Sequence, residues 1–112
     1  MFDKNGYPTE ESLSLIKNCD ILKEDIFILL KNLWKFKDGY WTEVKKYDEH
    51  GNLILHEYHI ATGGWSGNED LIESFRLNHS AWGLYWYQST RGGSYIFRKN
   101  IYLPFVKTSY KL

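Results

Sequence analysis

At Gly39 the spacing of apolar residues changes from three and four to two, and this switch restricts the chain to folds that lay helices on a sheet. Before it, Ile26, Phe27, Leu29, Leu30, Leu33 and Trp34 mark a helix over residues 23–34. Its wide apolar stripe calls for burial across a sheet. After it, residues 40–47 read as a strand rich in aromatic and β-branched side chains. A turn at 48–52 and a second strand at 53–60 complete a hairpin. A shorter helix comes first. It opens at Pro8-Thr9-Glu10-Glu11, where Thr9 caps and the two acids suit the positive end of the dipole, and it breaks at Asn18-Cys19-Asp20.

The second half repeats the alternation. Ser66-Gly67-Asn68-Glu69 matches a capping box and predicts a helix to about Asn78 that buries Leu71, Ile72, Phe75 and Leu77. Residues 82–89 read as a third strand, Thr90-Arg91-Gly92-Gly93 as a tight turn, and 94–98 as a fourth strand. The expected order is ααββαββ: an α+β domain over residues 1–98 with a four-stranded antiparallel sheet and helices packed on one face. In the strand at 82–89, Trp82, Leu84 and Trp86 alternate with Tyr85 and Tyr87, so both sheet faces would be aromatic and one would need a second cover. Residues 99–112 are apolar (Ile101, Tyr102, Leu103, Phe105, Val106) and carry Pro104. They are expected to pack on the domain or on a partner subunit, and a homodimer is the simplest assembly.

Composition narrows the function classes. Fourteen basic and fourteen acidic residues cancel, which disfavours a dedicated DNA or RNA binder, since such a protein needs a basic face. The one cysteine, Cys19, allows neither an internal disulfide nor a thiolate zinc site and fits a reducing compartment. No run of about 18 apolar residues is present, and the N-terminal residues show no apolar signal core. A cytoplasmic location is expected. Aromatic residues reach 18%, more rings than so small a domain buries, so some should line a surface or pocket.

Two glycine clusters mark the candidate site, because glycine is placed where the backbone turns sharply or is closely approached. The loop Gly63-Gly64-Trp65-Ser66-Gly67-Asn68-Glu69 precedes a helix, and Arg91-Gly92-Gly93 forms a turn. Gly63, Gly64, Trp65, Ser66, Asn68 and Glu69, with Arg91 and Gly92, are the candidate ligand-binding residues, walled by Trp65, Trp86 and Tyr95. Trp65 would stack on a planar ring and Arg91 would hold a phosphate or carboxylate. A purely structural role for the loop competes with this, since the spacing is that of neither a P-loop nor a dinucleotide fold. In His56-Glu57-Tyr58-His59 alternation sends His56 and Tyr58 to one face and Glu57 and His59 to the other. This is not a metal-ligand spacing, though Glu57 and His59 share a face as an acid–base pair would. No metal site, cofactor or catalytic residue is assigned.

The GGWSGNE loop followed by an apolar helix, Trp82 with Trp86, and the RGGSYIF hairpin together resemble a group of small proteins encoded by phages and prophages. The likeness runs to about Phe97; the remaining residues look like an addition. It implies a phage origin and a small cytoplasmic protein that works by binding. The favoured reading is a non-enzymatic counter-defence protein that sequesters a small nucleotide-like ligand. An inhibitor that docks on a host enzyme is the alternative, and a small hydrolase is third.

Overall fold

The computed structural model describes residues 2–100. In chain order these form α1 (Glu10–Lys17), α2 (Ile26–Leu33), β1 (Trp41–Tyr47), β2 (Leu53–Ala61), α3 (Ser66–Leu77), α4 (His79–Tyr85), β3 (Trp86–Thr90) and β4 (Ser94–Asn100). The strands make one antiparallel sheet in the order β1-β2-β4-β3. The second hairpin therefore inserts β4 beside β2, and β1 and β3 become the edges. The helices cover one face. This is the α+β architecture the periodicity predicts.

The core forms where the apolar stripe of α2 meets the alternating residues of the central strands. Phe27 of α2 stacks on Tyr58 of β2 with ring centroids 3.9 Å apart, and Phe75 of α3 stacks on Phe97 of β4 at 4.7 Å. Leu30, Leu33, Ile60 and Leu71 close the space between them. Burying side chains of this size stabilises a fold by roughly 1.5–3 kcal/mol each. Two buried carboxamides tie the helices to the loops. Asn78 donates to the carbonyls of Ile16 and Cys19, both at 3.0 Å, and joins α1 to the start of α4. Asn68 does the same for the segment after α2, as described below.

Several local expectations change. Helix α2 starts at Ile26, because Asp25 accepts the Phe27 N–H at 2.9 Å and caps it there, while residues 23 and 24 sit in a turn on the Asp20 carbonyl. Residues 82–85, expected in a strand, belong to α4. Asn78 caps that helix through the Ala81 N–H, and helical spacing sends Trp82 against Phe75 and Phe97 and Tyr85 against Phe27. Tertiary packing thus overrides the β preference of aromatic residues. The argument for a sheet aromatic on both faces loses its basis with it. Leu77 is exposed. Strand β4 continues through Lys99, which donates to Asp25 at 2.6 Å, and on to Asn100. The expected packing of the apolar tail falls on residues 101–112, outside the described residues.

Candidate functional site

The two glycine motifs meet, but for packing reasons. The Thr62 N–H donates to the Gly93 carbonyl at 3.0 Å, and a Cβ on Gly93 would lie 2.5 Å from the Thr62 hydroxyl. Only glycine fits there, the more so at φ 82°. Gly67 is explained by Trp65: the indole folds over it so closely that a Cβ would meet the ring at 2.2 Å. The capping box does not form. Trp65 is the N-cap of α3, no side chain caps that end, and Ser66 is the first helical residue, exposed. The chain enters α3 one residue earlier than the box requires, because Trp65 in extended conformation must reach back over Gly67.

The named site residues are divided among three places. Trp65 stacks on Tyr7 at 5.1 Å, with the Lys35 ammonium 4.7 Å above its ring and Phe36 edge-on at 6.2 Å. Trp86 stacks on Trp82 at 6.5 Å, and Tyr95 packs on the helix-covered face against Phe97. Among the described residues neither has a ring contact with Trp65. Asn68 is fully buried and saturated by backbone partners, which makes it a structural clamp instead of a ligand contact. Gly63, Gly64, Glu69, Arg91 and Gly92 are exposed, with Arg91 and Gly92 at the hairpin tip.

A depression of about 260 Å³ lies on the helix-free face, between the turn before β1 and the β3–β4 hairpin. It arises from residue size. Ala61 of β2, Ser94 of β4 and Thr90 of β3 pair across three strands, and the small side chains leave a step beside Thr42, His59 and Ile96. Tyr40 and Gly39 form its outer wall, and no carboxylate lines it. Arg91 follows Thr90 directly. Of the residues weighed from the sequence, Tyr95 and His59 border this depression, while Tyr40, Thr42 and Thr90 were missed. The signal for the depression, the small residues Ala61, Ser94 and Thr90 at matching positions of three strands, needs the register to be visible.

His59 is held by a chain of charges. Its Nε2 lies 2.7 Å from Glu57 Oε1, and the Arg98 Nε donates to the other Glu57 oxygen at 2.5 Å. Arg98 in turn lies 3.7 Å from the centre of the Tyr87 ring. Burial opposes ionisation of Glu57, but the hydrogen bonds from His59 and Arg98 outweigh it and hold the carboxyl below its usual range. An ionised Glu57 accepts, so His59 Nε2 carries a proton and Nδ1 is the nitrogen left to meet a ligand. His59 is 41% exposed.

The opposite face of β2, where alternation places His56 and Tyr58, holds a second carboxylate–histidine pair. His56 Nε2 lies 2.7 Å from Glu43 Oε1, and the Tyr58 hydroxyl is 3.1 Å from His56 Nδ1. Glu43 also accepts from Lys31 at 2.8 Å and from the Trp41 indole at 2.9 Å. Burial opposes its ionisation, yet these three donors bring its pKa down to about 2. Burial also pushes the Tyr58 phenol up. This network lies under the helices and fastens β1 to β2. Burial pushes the Cys19 thiol up as well, with Glu24, Asp20 and Asp25 adding to the effect, so Cys19 is a poor nucleophile.

Among the described residues no cluster of three or more His, Cys, Asp and Glu is placed to hold a metal, and no helix is long and apolar enough to cross a membrane. No family model, curated protein or solved structure matches the chain.

Proposed function

We propose that this is a binding protein for a small anionic, nucleotide-like ligand, held in the depression between Tyr40 and the Arg91 hairpin. The observation that carries this reading is the lining of the depression. It offers a partly exposed aromatic ring, three hydroxyl side chains and a carboxylate-oriented imidazole, with no acidic group to repel an anion. A planar base suits Tyr40. Phosphate oxygens suit the hydroxyls of Thr42, Thr90 and Ser94, the protonated form of His59, in which Nδ1 is also a donor, and Arg91 at the rim. The resemblance to phage proteins supports a cytoplasmic counter-defence role in which the ligand is sequestered unchanged.

The test is calorimetry of the full chain against cyclic and linear nucleotides and inorganic pyrophosphate. Binding is expected, and Ala61→Phe, which fills the depression from the exposed sheet face, should abolish it without unfolding the protein. Silence toward every probe, or an unchanged affinity in Ala61→Phe, overturns the reading. The 2.7 Å contact between Glu57 and His59 favours one second reading, a phosphoester hydrolase with His59 as general base. Chromatography of the recovered nucleotide separates the two, because a sequestering protein returns it intact.

A further inference from the structure

Phe36, whose ring meets the Tyr40 that lines this depression, carries two separate costs. Its φ is 61°, and it is the one non-glycine residue among those described with a positive φ. Sterics disfavour that conformation for a bulky L-residue. The residue is also 52% exposed, so burial does not offset the strain. Glycine would satisfy the backbone, and a polar side chain would satisfy the solvent. A phenylalanine satisfies neither.

The surrounding structure nonetheless fixes the residue from both sides. On one side Asn68 Oδ1 accepts the Lys35 N–H at 3.0 Å, and its Nδ2 donates to the Lys35 carbonyl at 2.9 Å. On the other, the Lys37 ammonium donates to the Trp34 carbonyl at 2.8 Å, while the Lys37 carbonyl accepts the N–H groups of Tyr40 and Trp41. Strained residues persist where neighbours over-determine them, and they gather at ligand clamps. The ring packs T-shaped against Tyr40, at 6.4 Å, and against Trp65, at 6.2 Å. Its own faces are therefore not stacked on either neighbour.

We infer that Phe36 is the residue that recognises the planar ring of the ligand, a heteroaromatic base that stacks on its exposed face with Tyr40 as the adjoining wall. Asn68 is then a positioning residue that holds Phe36 in place. The inference rests on the reading of the depression, because Tyr40 both lines it and touches Phe36. It adds the ligand class: the ligand must carry a base, and the phosphate alone is bound less well.

The experiment compares the full-length wild-type chain with Phe36→Gly and Phe36→Leu, using adenosine monophosphate, cytidine monophosphate and inorganic pyrophosphate as probes. Phe36→Gly relieves the backbone strain and removes the ring. It should bind both nucleotides between about fivefold and a hundredfold more weakly, the range expected for one lost stacking contact. Pyrophosphate affinity should stay unchanged, and the unfolding midpoint should equal or exceed that of the wild type. Phe36→Leu keeps the bulk and the strain without a π face and should lose base binding to a similar degree. A merely structural Phe36 would lower the midpoint of Phe36→Gly and weaken all three probes together, and that result overturns the inference. So does wild-type nucleotide affinity in either variant. A wild-type protein that binds none of the probes instead overturns the reading of the depression, and the inference with it.

Discussion

Replacing Asn68 by alanine tests whether the glycine-rich loop is built around that side chain. The carboxamide is fully buried and makes three hydrogen bonds, to the N–H and carbonyl of Lys35 and to the carbonyl of Thr62. Truncation leaves both Lys35 groups without their partner, while the Thr62 carbonyl keeps the Trp65 N–H at 3.2 Å. Lys35 is exposed, so water can reach its two groups, and each loss there costs about 0.5–1.5 kcal/mol. Thr62 is buried, but its carbonyl loses only one of two donors, again about 0.5–1.5 kcal/mol. Together the expected loss is roughly 1.5–4.5 kcal/mol, a large share of the 5–15 kcal/mol typical of a domain. Urea denaturation followed by tryptophan fluorescence measures it. Ser66→Ala in the same loop is the control and should be neutral, because the Ser66 side chain caps nothing. A loss below about 1 kcal/mol for Asn68→Ala, or a comparable loss for Ser66→Ala, would refute the assignment of the clamp and restore the capping box.

Two further outcomes can be checked on the same instrument. Glu43 has a folded-state pKa of about 2 against an ordinary 4.5, so its contribution is complete above pH 4.5 and is lost as pH falls toward 2. Glu57 is depressed in the same direction. The urea midpoint should therefore fall steeply across that window, and less steeply in Glu43→Gln; parallel pH profiles for the two proteins would count against the network. Gly93→Ala combines a positive φ with a collision against the buried Thr62 side chain and should cost about 2 kcal/mol or more. Thr62→Ser in the Gly93→Ala background leaves the hydroxyl in place and should not restore it, whereas Thr62→Ala should restore part.

The layer arrangement was legible because it rests on periodicity: a wide stripe at three and four spacing in α2, then strict alternation in β1 and β2. The opposite faces of His56 and Glu57 followed from the same rule. Residues 82–85 misled because Trp and Tyr favour strands on average, while here Asn78 supplies a cap and Phe75 and Phe97 supply a surface for Trp82. A single side chain bonded to carbonyls about sixty residues away cannot be read from local sequence. The glycine clusters were correctly placed as points of close approach. For Gly93, Gly67 and Gly63 the partners are Thr62, Trp65 and Tyr40 of the protein itself, while Gly64 and Gly92 have only a positive φ to require glycine. The depression and Phe36 were hidden for different reasons: the first depends on the register of three strands, the second on a dihedral angle.

Strand β2 carries an internal control that separates scaffold from site. Both of its histidines sit 2.7 Å from a glutamate, so carboxylate pairing alone does not distinguish them. Their surroundings do. His56 is 14% exposed, stacks on Tyr58 at 4.2 Å and donates to a Glu43 that also serves Lys31 and Trp41. Removing it opens a cavity and takes one donor from a carboxylate, and His56→Ala should cost roughly 2–3 kcal/mol. His59 stands at the edge of the depression, and without it Glu57 still keeps Arg98. His59→Ala should therefore shift stability by no more than about 1 kcal/mol. On binding the order reverses: His59→Ala should weaken a phosphate-bearing ligand by about 1.5–3 kcal/mol, the scale of a charge-assisted hydrogen bond, and His56→Ala should leave its affinity alone. Measuring midpoint and affinity on the two variants gives four numbers and one crossed pattern. If both substitutions move stability and affinity in parallel, the helix-free face is scaffold like its opposite, and the ligand site lies elsewhere.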